Sequence, residues 1–205
     1  VHEFENSIEL SIYPNPTTNE LNMLDYLVEW ARIKYVAEVF VPTKIKLNHY
    51  VDKVYATLKE TAAINKLELI NKISRDCSVF VDEKMLISIL HNLVSNTIKH
   101  STLEGIISIS AIQNDKEVVV EIKDNGLGMS KEIKNNLFSP KIKSLLKGVE
   151  ENKGAGIGLL LVNGFIEKIG GRIWVESQEG SGTSFFFTLP MENGDNMKPQ
   201  IANKE

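Results

Sequence analysis

With a single cysteine, Cys77, the chain cannot form an internal disulfide, which fits a reducing compartment. It also has no arginine cluster, and its lysines are spread along a sequence of net charge −4, so it carries no basic footprint for nucleic acid. Long hydrophobic runs are missing too. The longest, around Gly154 to Ile166, is interrupted by glycine and too short and polar to span a bilayer, and no signal peptide or transmembrane segment is visible. The expectation is a cytoplasmic stretch without membrane contact, though the cytoplasmic part of a membrane protein would read the same. His49 and His91 have no second ligand at metal-binding spacing, which argues against zinc, and Cys77 reads as a small core residue. No internal repeat is apparent. At 205 residues the chain can hold one full core and a helical appendage.

Against this ordinary background stand three short segments in fixed order. Asn92 to His100 reads NLVSNTIKH, Asp124 to Met129 reads DNGLGM, and Gly154 to Leu159 reads GAGIGL. The first lies in a helical pattern: Met85, Leu86, Ile89, Leu90, Leu93, Val94 and Thr97 recur at three- and four-residue spacing, leaving Asn92, Asn96 and Lys99 on the polar side. Asn96 offers a hard, uncharged oxygen that can help hold Mg2+, and Lys99, one turn on, can reach phosphates as a point charge. An amphipathic helix with a solvated polar stripe is the plain alternative.

The second segment follows the β-branched run Glu117 to Lys123, so Asp124 stands at a strand end, where its carboxylate can accept from an exocyclic amine such as that of adenine. Gly126 and Gly128 allow a close backbone approach, although a simple Asn-Gly turn would read alike. In the third, glycines open a helix from Leu159 to Ile169, a setting suited to anions. A dinucleotide-binding loop would need a strand directly before it and a different glycine spacing; the charged stretch Lys147 to Lys153 stands there instead.

The order and context of these segments resemble the ATP-binding domain of sensor histidine kinases, a fold shared with gyrase, the large heat-shock chaperone ATPases and MutL. NLVSNTIKH is similar to that family's N box, DNGLGM to its G1 box, Leu137-Phe138 to its F box, GAGIGL to its G2 box, and Gly180-Ser181-Gly182-Thr183 to its last glycine turn. Gly170 to Pro190 resembles its closing hairpin, and the likeness covers residues 80–190. It implies ATP and Mg2+ as ligands. Asn96 would coordinate Mg2+, Asn92 would shape the phosphate end, and Lys99 and His100 would lie near phosphates or ribose. Asp124 would read the adenine amine, with Gly126, Gly128 and Met129 flanking the base. Phe138 and the stretch to Lys153 would form a lid, with Lys141, Lys143, Lys147 and Lys153 as candidates for the γ-phosphate. Gly154, Gly156, Ile157, Gly158 and Leu159 would complete the cradle, and Gly182 and Thr183 would close the adenine side.

In hydrolytic relatives a glutamate one turn before the metal-binding asparagine activates water; here that place is Asn92, and an amide cannot take a proton. This favours transfer of the γ-phosphoryl to a histidine, with a response regulator receiver domain as next acceptor. Rival readings are an anti-sigma-type serine/threonine kinase and a degenerate nucleotide-binding interaction module. The candidate phosphoacceptor is His2, followed by Glu3 as in the family's H-E/D-x-x-x-P motif. Ser7 stands where proline is usual, however, and the chain between His2 and Trp30 is too short for a helical hairpin.

The implied fold is α+β: a two-layer α/β sandwich of the Bergerat type, with a mixed sheet under three long helices. Residues 1–35 read as a remnant of a dimerisation and phosphoacceptor region, with one partial dimerisation helix over 19–35 that implies a homodimer in the full-length protein. Residues 36–43 read as a linker, including a strand over 36–41, residues 44–190 as the catalytic domain, and 191–205 as a flexible polar tail. Further expected elements are helices over 48–63, 82–100, 130–136 and 157–169, and strands over 67–74, 78–81, 105–113, 117–123, 172–178 and 184–189.

Overall fold

A computed structural model of the chain describes residues 41–138 and 157–191. The expectations for the helix over 19–35, residues 36–40, the tail beyond Met191, His2, the lid lysines Lys141, Lys143, Lys147 and Lys153, and Gly154 and Gly156 fall outside the described residues.

Hydrophobic spacing sets the helices. Helix α1 (Leu47–Ile64) buries Leu47, Val51, Val54, Tyr55, Leu58 and Ala62 along one stripe, and α2 (Glu83–His100) buries Leu86, Ile89, Leu90, Leu93, Val94, Thr97 and Ile98. Thr97 is admitted to the apolar stripe because its hydroxyl donates to the Leu93 carbonyl at 2.9 Å. The start of α2 is fixed by Asp82, whose carboxylate accepts from the amides of Lys84 and Met85 at 2.9 and 3.2 Å. Glu83 in the first turn and Lys99 and His100 in the last complement the helix dipole. The short α3 (Lys131–Asn136) is capped by Ser130. Helix α4 (Ile157–Lys168) buries Leu159, Leu161, Val162, Phe165 and Ile166, and the chain turns away from it at Gly170, φ 74°.

Seven strands complete the described fold: β1 (Thr43–Lys46), β2 (Glu68–Asn71), β3 (Ser78–Val81), β4 (Ile106–Gln113), β5 (Glu117–Asp124), β6 (Ile173–Ser177) and β7 (Thr183–Pro190). Five form a mixed sheet in the order β2-β4-β5-β7-β6, with β2 parallel to β4 and the other pairs antiparallel; β1 and β3 form a separate antiparallel pair. Helix α1 lies against β2, α2 against β5 and α4 against β7, with α2 touching both other long helices. This is the expected two-layer sandwich with its core between helices and sheet.

Three expectations are corrected. Val41, the only described residue of the strand expected over 36–41, is not in a strand; the strand runs instead from Thr43 to Lys46, outside the expected linker strand. Its sequence TKIK has little apolar character of its own, and pairing with Ser78–Val81 makes it extended. The strand expected to reach residue 74 stops at Asn71, because the Asn71 side chain accepts the Ile73 amide at 3.1 Å and Asn48 donates to the Ile73 carbonyl at 2.7 Å. Those bonds take Ile73 out of the ladder while its side chain stays in the core. Met191 also packs against the core, so the expected polar tail is anchored at its first residue. Cys77 is buried and free, as expected. Among the described residues no helix is long and apolar enough to cross a membrane.

Among the described residues the Asp82 carboxylate serves the start of α2 and the approach of the chain at Val41, whose amide lies 3.3 Å away. Asp82→Ala should therefore lower stability by about 1 kcal/mol, or a melting temperature drop of about 2–4 °C. A calorimetric melt measures this.

Candidate functional site

Alternation along β5 explains how a carboxylate enters the core. Val118, Val120 and Ile122 face the helices, and Asp124 takes the fourth place on the same face, 5 % exposed. Its Oδ1 accepts the Gly126 amide at 2.7 Å, and the Thr183 amide also donates to the carboxylate. Burial pushes the carboxyl above the ordinary carboxylate value; the two amide bonds and the charge of His100 pull it back without cancelling that effect. A partly satisfied buried acid at a strand end suits a ligand that donates a hydrogen bond.

Two glycine turns meet around it, backbone against backbone. A Cβ on Gly128 (φ 68°) would stand 2.0 Å from the Gln178 carbonyl oxygen, and one on Gly182 (φ 84°) 2.2 Å from the Asp124 carbonyl oxygen. The Gly180 amide donates to the Leu127 carbonyl at 2.7 Å. The end of α2 closes the third side: a Cβ on Gly126 would stand 2.9 Å from the His100 carbonyl oxygen and 3.0 Å from the Ser101 Cα. Asn125, inside the same turn, accepts the Ile106 amide at 2.8 Å and ties the loop to the start of β4.

Of the residues singled out in the sequence, the structure brings together Asp124, Gly126, Gly128, Met129, His100, Gly182 and Thr183. Asn96 is half-buried on α2, one turn before His100, and its side chain makes no hydrogen bond among the described residues. Asn92 is half-buried as well, but its amide nitrogen donates back to the Ser88 carbonyl at 2.8 Å, so that donor serves its own helix. Lys99 is exposed in the last turn. Ile157, Gly158 and Leu159 form the first turn of α4, where Leu159 is a core side chain. Phe138 and Met129 are half-buried and pack against the core.

Ser177 was missed by sequence reasoning. It joins both turns, taking the Met129 amide at 2.9 Å while contacting the Gly182 carbonyl and Thr183 Oγ1 at 3.0 Å each. A serine in WVES gives no signal by itself; only the hairpin geometry finds it.

A depression of about 430 Å³ is lined by Asp124, Ser177, Gly182 and Thr183 and by Lys123, Glu176 and Ser184 from the neighbouring strand positions. Its Lys123, Ser184 and Glu176 form one cross-strand row, and strand alternation aims them away from the Asp124 carboxylate. No group of three or more His, Cys, Asp or Glu side chains among the described residues stands as a metal cage. The amide oxygen of Asn96 fits a cation held mainly by phosphate oxygens and water, and the exposed Lys99 ammonium fits the phosphates themselves.

The family model described as histidine kinase-, DNA gyrase B- and HSP90-like ATPase matches residues 81–193. The adaptive-response sensory kinase SasA of Prochlorococcus marinus (strain AS9601) is 33 % identical over 180 residues, which are 87 % of this chain and 48 % of that protein. The chain thus spans about half the length of the Prochlorococcus SasA kinases it matches. The catalytic domain of histidine kinase ThkA superposes with a TM-score of 0.63 at 28 % identity, over 73 % of this chain and 95 % of that one. ThkA crystallised with the response regulator protein TrrA gives 0.66 at 26 %, over 92 % and 53 %.

Two outcomes are expected of the turns and the buried acid. Gly180 and Gly182 both have positive φ, but a Cβ on Gly180 meets nothing within 4 Å. Gly180→Ala should lose only the backbone preference, about 1 kcal/mol, whereas Gly182→Ala adds a clash and should lose well over 2 kcal/mol; denaturant titration separates them. For Asp124, the unfolded carboxyl releases its proton at lower pH than the folded one. Stability should therefore fall as pH rises through the window between the two values and stay lowered above it. Asp124→Asn, whose side-chain oxygen can still accept both amides, should abolish that fall and be at least as stable at neutral pH.

Proposed function

The chain belongs to the histidine kinase-, DNA gyrase B- and HSP90-like ATPase family, whose Bergerat-type fold it has, and on that premise we propose that it is the catalytic core of a two-component sensor histidine kinase. It binds Mg-ATP and transfers the γ-phosphoryl group to a histidine. The observation that carries this reading is the meeting of three separate sequence segments around the Asp124 carboxylate, with the unbonded Asn96 amide one turn back on the adjoining helix.

In this reading Asp124 accepts from the adenine amine, while Gly126, Gly128 and Met129 line the base and Thr183 closes its edge. Asn96 supplies an oxygen to Mg2+, and Lys99 and His100 lie toward the phosphates or ribose. Mg2+ held through the Asn96 side-chain oxygen would supply charge neutralisation to the triphosphate. Phe138 and the stretch to Lys153 are read as the lid, and Gly154, Gly156, Ile157, Gly158 and Leu159 as the glycine-rich cradle for the phosphates; residues 139–156 lie outside the described residues. Asn92 fills the place where a water-activating base would stand; its amide has no basic lone pair and is tied to Ser88. The site therefore retains ATP for a protein nucleophile, and rate comes from positioning and charge.

The full-length protein is read as a homodimer whose phosphate passes to a response regulator receiver domain. The sensory-kinase relatives and the pairing of ThkA with a response regulator support this. His2 remains the nearest candidate acceptor within the chain.

Asn96→Ala should lower Mg-dependent ATP affinity at least about tenfold, roughly 1.4 kcal/mol, with an unchanged melt; unchanged affinity in calorimetric titration removes the metal assignment. Incubation with γ-labelled ATP should give acid-labile, base-stable label on a histidine, supplied within the chain or on an added dimerisation hairpin. Tight ATP binding with no label on either argues for a binding module instead.

A further inference from the structure

Ser177 Oγ has three polar neighbours: the Met129 amide at 2.9 Å, the Gly182 carbonyl at 3.0 Å and Thr183 Oγ1 at 3.0 Å. A serine hydroxyl has one proton and two lone pairs. The carbonyl can only accept, so it takes the Ser177 proton; the amide can only donate, so it fills one lone pair. That leaves Thr183 as the donor to the other. The proton of Thr183 is thereby committed to Ser177, and the free lone pairs of Thr183 Oγ1 can only accept. Thr183 is 7 % exposed and its own amide donates to Asp124, so the residue that carries the hydroxyl lies directly beside the carboxylate. The amides of Gly126 and Thr183 are already bonded to that carboxylate.

We propose that Ser177 is a positioning residue for base selection: by holding the Thr183 hydroxyl as an acceptor beside the Asp124 carboxylate, it makes the base end accept an exocyclic amine and reject a 6-oxo purine. Adenine presents a donor at that edge, whereas hypoxanthine and guanine present a carbonyl. Two acceptors facing a carbonyl leave buried polar groups unpaired, which is how such sites discriminate strongly. Without the Ser177 hydroxyl, Thr183 can rotate and donate, and the rejection weakens. The inference rests on the nucleotide reading given above.

The test is the ratio of ATP to inosine triphosphate affinity, by calorimetric titration, in the unmodified chain, Ser177→Ala and Ser177→Thr. Ser177→Ala should lower that ratio about tenfold, and Ser177→Thr, which keeps the hydroxyl, should hold it. An unchanged ratio in Ser177→Ala overturns the inference even if both nucleotides bind more weakly, since a structural role alone would weaken both alike. An equal fall in both variants overturns it as well, because packing would then set the selectivity. Failure of the unmodified chain to bind ATP sinks the nucleotide reading itself, and this inference with it. Should Ser177→Ala not fold, amide exchange in the nucleotide-free unmodified chain decides: a protected Met129 amide supports the arrangement, and exchange at the unprotected rate overturns it.

Discussion

Two turns of this protein approach so closely that neither could carry a side chain at the point of contact. Gly128 presses on the Gln178 carbonyl and Gly182 on the Asp124 carbonyl, both with φ in the left-handed region. This contact joins the end of β5 to the β6–β7 hairpin and fixes where the Asp124 carboxylate can point. Gly126 makes the equivalent approach to the end of α2. The site is thus assembled from main chain first, with side chains placed by the turns they sit on.

The contact explains why an acidic group can be held in an otherwise apolar face. Asp124 occupies a core position of β5, where Val118, Val120 and Ile122 precede it, and burial alone would disfavour its charge. Amides brought in by the glycine turns supply part of the compensation, and the remainder is left for a ligand. A buried acid held in this way lowers the stability of the free protein once it is ionised. Ser177 is tied into the same turns through the Met129 amide, the Gly182 carbonyl and Thr183 Oγ1.

Most of the architecture was legible because its signals are local. The apolar spacing of α2 and the β-branched run of β5 each follow from neighbours in sequence. The segments NLVSNTIKH and DNGLGM likewise disclosed residues that the fold brings together. Less legible were β1, which is extended because β3 pairs with it, and the early end of β2, where the Asn71 side chain competes for backbone groups of the loop. Neither depends on a residue's own preference.

The sequence by itself determined most of the elements, the family resemblance and the identity of the polar residues, because hydrophobic period and glycine spacing act over a few neighbouring positions. Only the tertiary structure decided that Asp124 is buried and that Ser177 links the two turns. Those facts depend on contacts between segments tens of residues apart in the chain, such as Met129 with Ser177, and a linear pattern does not encode the register that creates them.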